Sequence, residues 1–315
     1  MLDIPTKIAA VTPLDGSVVV VGSANADLTV RVAAMPQPGQ TIHGGPLTTL
    51  PGGKSANQAA AAALLGAPTA FVGAVGMDDN GDFLAASLDA CGVDTGNLHR
   101  VKVATSCAII TVDARAENMI VVTEGANNQV DGEILDAARD ALTSAKAVGL
   151  ALEIPIETVI VAAQMAHEAG AVVVFNPSPM PSSVPKELLV NTDVLVINEG
   201  EMRAMIGDIA GDWYLAEERL KALGVGSAVV TIGPRGAMVL DQGVTLVPVV
   251  EVEVVDTTGC GDSFTGALIA ALASGRDLVA SAEFASVVAS YASMGFGAQA
   301  SYGTLEQIQA AFING

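Results

Sequence analysis

The chain reads VVDTTGCGDSFTGAL from Val254 to Leu268. A β-branched run ends there in a glycine-rich turn, and the apolar, alanine-rich pattern that follows predicts a helix from about residue 263 to 273. A strand-to-helix turn leaves several backbone N–H groups unpaired, and the helix dipole adds positive potential at the same point. The stretch therefore predicts a phosphate cradle that holds Asp262 as a candidate proton acceptor. An ordinary glycine-rich loop capped by an aspartate is the alternative interpretation.

On either side of this turn, segments with strand character alternate with segments with helix character. The pattern predicts strands at residues 17–21, 69–73, 147–152, 171–175, 193–197 and 227–232. It predicts helices at residues 56–65, 81–90, 132–142, 156–168, 199–206, 214–223, 263–274, 278–293 and 305–313. This alternation indicates an α/β fold with a mostly parallel central sheet that is covered on both faces by helices. Ligands of such folds bind beyond the carboxyl ends of the strands.

Two segments, residues 26–50 and 104–123, break the alternation. The first reads as two extended pieces around a proline-rich turn, and the second reads as a hairpin around a charged turn. A small β-layer that projects over the main sheet accounts for both. We therefore predict an α/β domain over residues 17–315, preceded by a loose N-terminal extension over residues 1–16.

The composition excludes some classes of partner. The chain has 315 residues, of which 34 are acidic and 14 are basic, so its net charge is −20. A protein of this charge is not expected to bind nucleic acid or an acidic membrane surface. If it binds a nucleotide, backbone N–H groups, Mg²⁺ and a second cation must neutralise the phosphates locally.

The cysteines and the hydropathy pattern bear on the setting of the protein. Cys91, Cys107 and Cys260 are an odd number without CxxC spacing, which is typical of a reduced, cytoplasmic protein. Cys260 itself reads either as a reactive thiol at a helix N-terminus or as a small filler in the turn. No uncharged apolar run reaches about 18 residues, so no membrane span is expected.

Polar clusters follow the predicted strands and lie where a ligand crevice is expected. They are GSANAD at residues 22–27, GGKSANQ at 52–58, Glu153, NEGE at 198–201 and TIGPRG at 231–236. Each cluster alone could be a cap or a turn. Together they mark successive strand ends, which is the expected position of a binding site.

Two of these clusters have spacing that suits a sugar. Asn25 and Asp27 are two residues apart in extended chain, so both side chains point to the same side and could bind vicinal hydroxyls. Lys54 and Asn57 are three apart at a helix start and could share a face. An Asx turn and a helix cap are the respective alternatives.

The order of GSANAD, GGKSANQAAAA, NPSP, NEGE, TIGPRG and DTTGCGDSFTGAL resembles the ribokinase-like family of carbohydrate kinases, from about residue 18 to the C-terminus. The resemblance implies a three-layer α/β/α fold with a small β-sheet lid, which in such kinases also forms a dimer contact. It implies transfer of the γ-phosphate of ATP to a sugar hydroxymethyl group, with ribose 5-phosphate as the product from ribose. A nucleoside, deoxyribose or a ketohexose is an alternative acceptor, and a non-catalytic sugar-binding protein is a third hypothesis.

The resemblance also implies roles for matching positions. Asp262 matches the catalytic base, and the N–H groups of Gly259, Cys260, Gly261 and Asp262 match the anion hole. The implied sugar contacts are Asn25, Asp27, Gly53, Lys54, Asn57, Glu153 and Asp262. Asn198 and Glu201 match an element linked to Mg²⁺ and phosphate, and the positions around the nucleotide are Thr231, Gly233, Gly236 and Gly261. The implied K⁺ ligands are Asp256, Thr258, Ser293, Gly295, Gly297 and Ser301.

Two expectations about the chemistry follow. The anion hole should depress the pKa of Asp262, so that its carboxylate is ionised at neutral pH. Because only 3% of the residues are aromatic, the adenine base should lie between aliphatic walls.

Overall fold

A computed structural model describes residues 4–115 and 117–313. The strands in chain order are β1 Val18–Val21, β2 Asn25–Arg31, β3 Thr48–Gly52, β4 Thr69–Gly76, β5 Asp94–Val101, β6 Cys107–Val112, β7 Asn118–Val122, β8 Ala147–Ala151, β9 Val172–Asn176, β10 Val194–Asn198, β11 Ser227–Thr231, β12 Ala237–Leu240 and β13 Val244–Val247. The helices are α1 Ile4–Val11, α2 Lys54–Leu64, α3 Asp79–Ala90, α4 Gly132–Ala137, α5 Arg139–Ser144, α6 Ile156–Glu168, α7 Lys186–Leu189, α8 Glu199–Ile206, α9 Trp213–Ala222, α10 Cys260–Ala273, α11 Leu278–Ala292 and α12 Leu305–Ile313.

The main sheet has the strand order β13-β12-β11-β10-β9-β8-β1-β4-β5 within the described residues. The strands from β11 to β5 are parallel, whereas β12 and β13 form an antiparallel edge. Helices cover both faces, which confirms the predicted three-layer α/β/α architecture. The side chains of β1 show why, because Val18 and Val20 enter one core while Val19 and Val21 enter the other.

Each core belongs to its own set of helices. The first core contains side chains from α1, α2, α3, α10, α11 and α12, and the second contains side chains from α4 to α9. Helices α2 and α10 therefore lie on the same face of the sheet. Their N-termini both carry the polar residues that the sequence singled out.

The predicted β-layer is confirmed. A separate four-stranded sheet, which we call the lid, has the order β3-β2-β6-β7. Strands β2 and β6 are parallel, and the two outer pairs are antiparallel. All five residues of β7 are exposed.

The prediction of a loose N-terminus is wrong for the described part of residues 1–16. Residues Ile4–Val11 form α1, and Ile8 and Val11 are fully buried in the core that includes α11 and α12. The guanidinium of Arg276 donates to the carbonyls of Val11 and Pro13 at 3.1 and 3.3 Å. Residues 1–3 of the predicted extension, and residues 116, 314 and 315 of the predicted domain, lie outside the described residues.

Other boundaries also differ from the prediction. Strands β5, β12 and β13 were not predicted, and the predicted helix at 132–142 is divided into α4 and α5. The β-branched run that precedes the glycine-rich turn is an extended loop and not a strand. Within the part of the chain that the structure describes, no helix combines the length and the apolarity that a membrane crossing needs.

We expect Ile8→Ala to lower the free energy of unfolding by about 2–5 kcal/mol, because it opens a cavity in a filled core. Denaturant unfolding measures the change. The matched control is Val161→Ala on α6, where the parent side chain is 43% exposed and a change within about 0.5 kcal/mol is expected. Equal effects of the two substitutions would contradict the docked position of α1.

Candidate active site

The N-terminus of α10 presents unpaired backbone donors. Gly259 caps the helix with a φ of 76°, and a Cβ there would lie 2.7 Å from the Tyr302 hydroxyl, so the turn requires glycine. The N–H groups of Gly259, Gly261 and Asp262 have no acceptor among the described residues. The N–H of Cys260 instead donates to the Thr257 carbonyl at 3.2 Å. Three of the four predicted anion-hole donors are therefore available to a ligand.

Asp262 faces α2 from the first turn of α10. Its Oδ2 accepts a hydrogen bond of 2.9 Å from Asn57 Nδ2. Burial raises the pKa of Asp262, the Glu153 carboxylate adds to the rise, and Lys54 and Asn57 oppose it. The expectation of a depressed pKa is therefore wrong, because desolvation exceeds the stabilisation of the charge. A raised pKa makes this carboxylate a stronger base once it is ionised.

Three carboxylates and one ammonium group lie around the same crevice. Burial raises the pKa of Asp27 to about 7, and the charges of Glu153 and Asp262 add to the effect. Glu153 Oε2 accepts the backbone N–H of Lys54 at 2.9 Å, which ties the end of β8 to the start of α2. A Cβ on Gly52 would lie 2.2 Å from Asp27 Oδ2, so a larger residue at this position would displace the Asp27 carboxylate. The following glycine, Gly53, has a φ of 91°.

Asn25 is held by a residue that the sequence analysis missed. Asn127 donates from Nδ2 to Asn25 Oδ1 at 2.7 Å, and its own Oδ1 accepts the N–H of Ala24 at 3.1 Å. Both asparagines are buried. Asn127 lies in the 3₁₀ helix Gly125–Gln129, and no local pattern relates that segment to residues 22–27.

Three further residues near Asp262 were also missed as site residues. Gln299 Nε2 donates to Asn57 Oδ1 at 3.0 Å, and Tyr302 Oη donates to the Gly259 carbonyl at 2.8 Å. Gln58 is fully buried, and its amide has no partner at normal hydrogen-bond geometry among the described residues, but it lies close enough to Asp262 to lower the pKa of that carboxyl by hydrogen bonding. The motif GGKSANQ signals Gln58, but the other two belong to a distant C-terminal loop.

A cavity of about 600 Å³ opens beside the start of α10. Thr231, Gly233 and Gly236 line one side, and Cys260 and Gly261 line the end that meets the unpaired N–H groups. The remaining wall is mainly aliphatic and includes Val249, Val250, Val252, Val254 and Ala289; among the described residues, Phe264 is its one aromatic side chain. This lining agrees with the expectation for an adenine site in a chain with few aromatic residues.

Asn198 and Glu201 do not line this cavity. They form a capping box at the start of α8, in which Asn198 Oδ1 accepts the N–H of Glu201 at 2.9 Å and Glu201 Oε2 accepts the N–H of Asn198 at 2.8 Å. Asn198 pairs in register with Thr231 across the sheet, so the box lies at the same sheet edge as the cavity. Their predicted link to Mg²⁺ and phosphate stays a prediction.

Three of the predicted cation ligands, Thr258, Ser293 and Gly297, contact Asp256. Its Oδ1 accepts from the N–H and the hydroxyl of Thr258 at 2.9 and 2.8 Å, and its Oδ2 accepts from the N–H of Gly297 at 3.0 Å. Burial acts to raise the pKa of Asp256, but these hydrogen bonds outweigh it and the pKa lies below its usual value. The Ser293 carbonyl accepts from the N–H of Asp256 at 3.2 Å, and a Cβ on Gly295 would lie 2.7 Å from Ser301 Cβ. The donor set is carboxylate, hydroxyl and carbonyl oxygen, which is the chemistry that a hard cation prefers.

The thiol of Cys260 has the properties of a small side chain that fills the turn and not those of a reactive thiol. Burial, with the charges of Asp256 and Asp262, raises the pKa of its thiol to about 11. A thiol with this pKa carries almost no thiolate at neutral pH.

Comparisons with known proteins agree with this geometry. A protein-family model described as pfkB family carbohydrate kinase matches residues 15–305. The ribokinase of Schizosaccharomyces pombe is 34% identical over 94% of this chain and 98% of its own length. The deoxyribokinase of Salmonella typhimurium is 32% identical over 92% of this chain and 96% of its own length.

The solved structures agree with the sequence comparisons. The Arabidopsis thaliana ribokinase complexed with ribose and ATP superposes with a TM-score of 0.88 at 33% identity, covering 93% of this chain and 97% of that one. The ribokinase of Thermotoga maritima superposes with a TM-score of 0.87 at 31% identity, covering 95% of this chain and all of the other. By its sequence, its fold and the arrangement of its crevice, the chain belongs to the pfkB family of carbohydrate kinases.

Proposed function

We propose that this enzyme transfers the γ-phosphate of ATP to the hydroxymethyl group of D-ribose and gives ribose 5-phosphate. The observation that carries the proposal is the position of Asp262. It lies between a polar cluster suited to a small sugar and the unpaired N–H groups at the mouth of the 600 Å³ cavity. The similarity to ribokinases covers more than nine tenths of this chain and of each of the two related chains, which supports ribose as the acceptor.

Asn25, Asp27, Lys54 and Glu153 would bind the sugar hydroxyls. Asn127 fixes the amide of Asn25 so that its Nδ2 faces away from Asn127 and is free to donate. Asp27 and Glu153 supply acceptors, and Lys54 supplies a donor and the local positive charge. These groups would hold the hydroxymethyl oxygen next to Asp262, and positioning of this kind contributes a large part of the catalysis of phosphoryl transfer.

Asp262 would then accept the proton of the attacking hydroxyl. The N–H groups of Gly259, Gly261 and Asp262 would stabilise the charge that develops on the transferred phosphoryl group. Tyr302 supports this role, since its hydrogen bond to the Gly259 carbonyl holds the left-handed turn that directs the three donors. The cavity lined by Thr231, Gly233 and Gly236 would hold the nucleoside.

Two ions complete the proposal. Mg²⁺ would neutralise the phosphate oxygens of ATP, with Asn198 and Glu201 as nearby polar groups; one oxygen of Glu201 remains outside the capping box. K⁺ would bind the oxygen donors around Asp256 and Thr258, and would stabilise the loop that precedes α10. Asp262 remains the proton acceptor when both ions are bound.

The lid supports a proposed homodimer. Its outermost strand β7 exposes Met119, Ile120, Val121 and Val122, each by more than half of its surface. Because successive side chains of a strand point to opposite faces, this edge strand exposes apolar side chains on both faces, and exposed apolar surface is typical of protein contacts. A cytoplasmic setting is part of the same proposal, because the three cysteines are free thiols.

The acceptor can be tested by measuring ADP release with ribose, deoxyribose, fructose, adenosine and inosine. We expect the highest kcat/KM with ribose. A higher value for deoxyribose would favour the second candidate, for which the deoxyribokinase relatives give a specific reason. No ADP release with any acceptor would overturn the kinase proposal.

We expect Asp262→Asn to retain sugar binding and to lower kcat by about 10²–10⁴-fold, because the amide keeps the shape but cannot accept the proton. Calorimetry measures binding, and coupled ADP release measures kcat. The exposed Asp89→Asn on α3 is the control and should behave as the unchanged protein. A near-normal kcat in Asp262→Asn would remove this residue from its role.

We expect sugar affinity to depend on pH through Asp27. Hydroxyl donors favour the ionised carboxylate, so the pKa of Asp27 should fall from about 7 when the sugar binds. Affinity should therefore weaken as pH falls below 7, by at most about tenfold per pH unit, and should be constant above it. Titrations without ATP avoid turnover and keep the Asp262 carboxyl, whose charge contributes to the raised pKa of Asp27. Retention of the full pH dependence after Asp27→Asn would assign it to another group.

We expect K⁺ to increase kcat more than Na⁺ does, and Asp256→Asn to abolish that difference. The carboxylate supplies the charge of the proposed site and holds the Gly297 N–H as well as Thr258. Initial rates in matched chloride salts measure the effect, with Asp89→Asn as the control. A rate that is indifferent to both ions would count against the cation site.

A further inference from the structure

A line of side-chain hydrogen bonds runs from α3 to Asp262. Ser87 Oγ donates to Gln299 Oε1 at 3.1 Å, and Gln299 Nε2 donates to Asn57 Oδ1 at 3.0 Å. Asn57 Nδ2 then donates to Asp262 Oδ2 at 2.9 Å. Asn57 and Gln299 are both buried, with 6% and 8% of their surface exposed, so water competes little for these groups. The four residues belong to α3, the 3₁₀ helix Gln299–Ser301, α2 and α10.

The charged end determines the direction of every bond in this line. An ionised carboxylate only accepts hydrogen bonds, so Asn57 must present Nδ2 to Asp262 and its carbonyl oxygen to Gln299. Gln299 must then present its own Nε2, which leaves its Oε1 for the hydroxyl of Ser87. Each amide has one donating and one accepting end, so reversal of either amide would reverse the other.

Asn57 depends on Gln299 for its orientation. Among the described residues, the side chain of Asn57 has no polar partner besides Gln299 and Asp262. If the contact with Gln299 were lost, the amide could turn over and place Oδ1 against the carboxylate. Gln58 also lies beside Asp262, but among the described residues its amide makes no hydrogen bond to Asn57.

We propose that Gln299 is a positioning residue for phosphoryl transfer: it fixes the orientation of the Asn57 amide, which holds Asp262 as an ionised carboxylate ready to accept a proton. The inference rests on the proposed function in that Asp262 acts as the base. Gln299 does not line the nucleotide cavity, and it contacts the predicted sugar site only through the amide of Asn57.

Other groups around Asp262 set the background against which this effect is measured. The titratable or charged groups that act with it come from each neighbouring element: Asp27 of β2, Lys54 of α2, Glu153 after β8, Cys260 of its own helix and Tyr302 of the C-terminal loop. None of them is changed in the variants below. The Gln299→Met variant, which adds no charge, therefore isolates the line of hydrogen bonds.

Two substitutions of similar size probe the line in different ways. Gln299→Glu keeps the acceptor for Ser87 but offers no donor to Asn57, so it reverses the amide of Asn57. Gln299→Met removes both polar ends without adding charge. The control is Gln307→Glu on α12, an exposed glutamine whose side chain accepts the N–H of Thr304, a bond that glutamate retains.

The direct readout is the titration of Asp262 by carbon NMR of ¹³C-labelled aspartate carboxyls, assigned by comparison with Asp262→Asn. We expect the pKa of Asp262 to rise by about one unit in Gln299→Glu, to rise by less in Gln299→Met, and to be unchanged in Gln307→Glu. The hydrogen bond from Asn57 to the charged carboxylate is expected to contribute about ten- to a hundredfold to kcat. In the Gln299 variants kcat should therefore fall by that factor, while KM for the sugar changes less. The acidic limb of the kcat profile should move to higher pH, since the base must be ionised.

The outcomes separate the two proposals. An unchanged Asp262 titration in both Gln299 variants, or a rise in Gln299→Glu alone, would overturn the positioning role, since the latter reports only the added charge. If thermal unfolding shows that the Gln299 variants do not fold, Ser87→Ala decides: a small rise supports the line and no rise overturns it. Failure of the unchanged protein to phosphorylate any sugar would overturn the proposed function, while the titration would still report on the amide line.

Discussion

The close packing of α2 against α10 is the contact on which the rest of the site depends. A Cβ on Gly266 would lie 2.3 Å from the Gln58 carbonyl oxygen and 2.8 Å from Ala61 Cβ, so the two helices approach at backbone distance. The alanine-rich sequence of α2 presents small side chains that allow this approach. Because the helices are so close, the first turn of each reaches the other, and the Asp262 carboxyl meets the Asn57 amide.

The crevice at the start of these two helices contains several charged groups. Asp27, Glu153 and Asp262 are brought together in a partly desolvated space with Lys54 as the neighbouring cation. Desolvation and mutual repulsion raise the pKa of Asp27 and of Asp262. The chain as a whole is strongly acidic, yet its site can bind an anion because backbone N–H groups and one lysine face it.

The C-terminal loop connects the parts of this site. Gly297 binds Asp256, Gln299 binds Asn57, and Tyr302 binds the Gly259 carbonyl. One short segment therefore contacts the loop before α10, the first turn of α2 and the turn that directs the anion donors. A change in the position of the C-terminal loop would therefore affect both the proton acceptor and the phosphate cradle.

Much of the fold could be predicted from local pattern, and the exceptions have physical reasons. The central strands β1, β8, β9, β10 and β11 are continuous apolar runs because both of their faces are buried. The strand β5 lies at the sheet edge and reads DTGNLHRV, without such a run. The strands β12 and β13 follow β11 as an antiparallel edge with no α-helix between them in the described chain, so the alternation of strands and helices does not predict them. The helix α1 escaped prediction because its burial depends on α11 and α12, which lie more than 250 residues further along the chain.

The sequence by itself determined the class of fold, the lid segments and the residue types at the strand ends and at the start of α10. These features follow from periodicity, glycine placement and unpaired helix donors, which are properties of neighbouring residues. Only the tertiary structure decided three features: the direction in which the pKa of Asp262 shifts, the partners of Asn25 and Asn57, and the packing of the N-terminal helix against the core. Desolvation and amide orientation depend on groups that are distant in sequence, such as Glu153, Asn127 and Gln299. A local sequence pattern cannot predict which distant groups will come into contact.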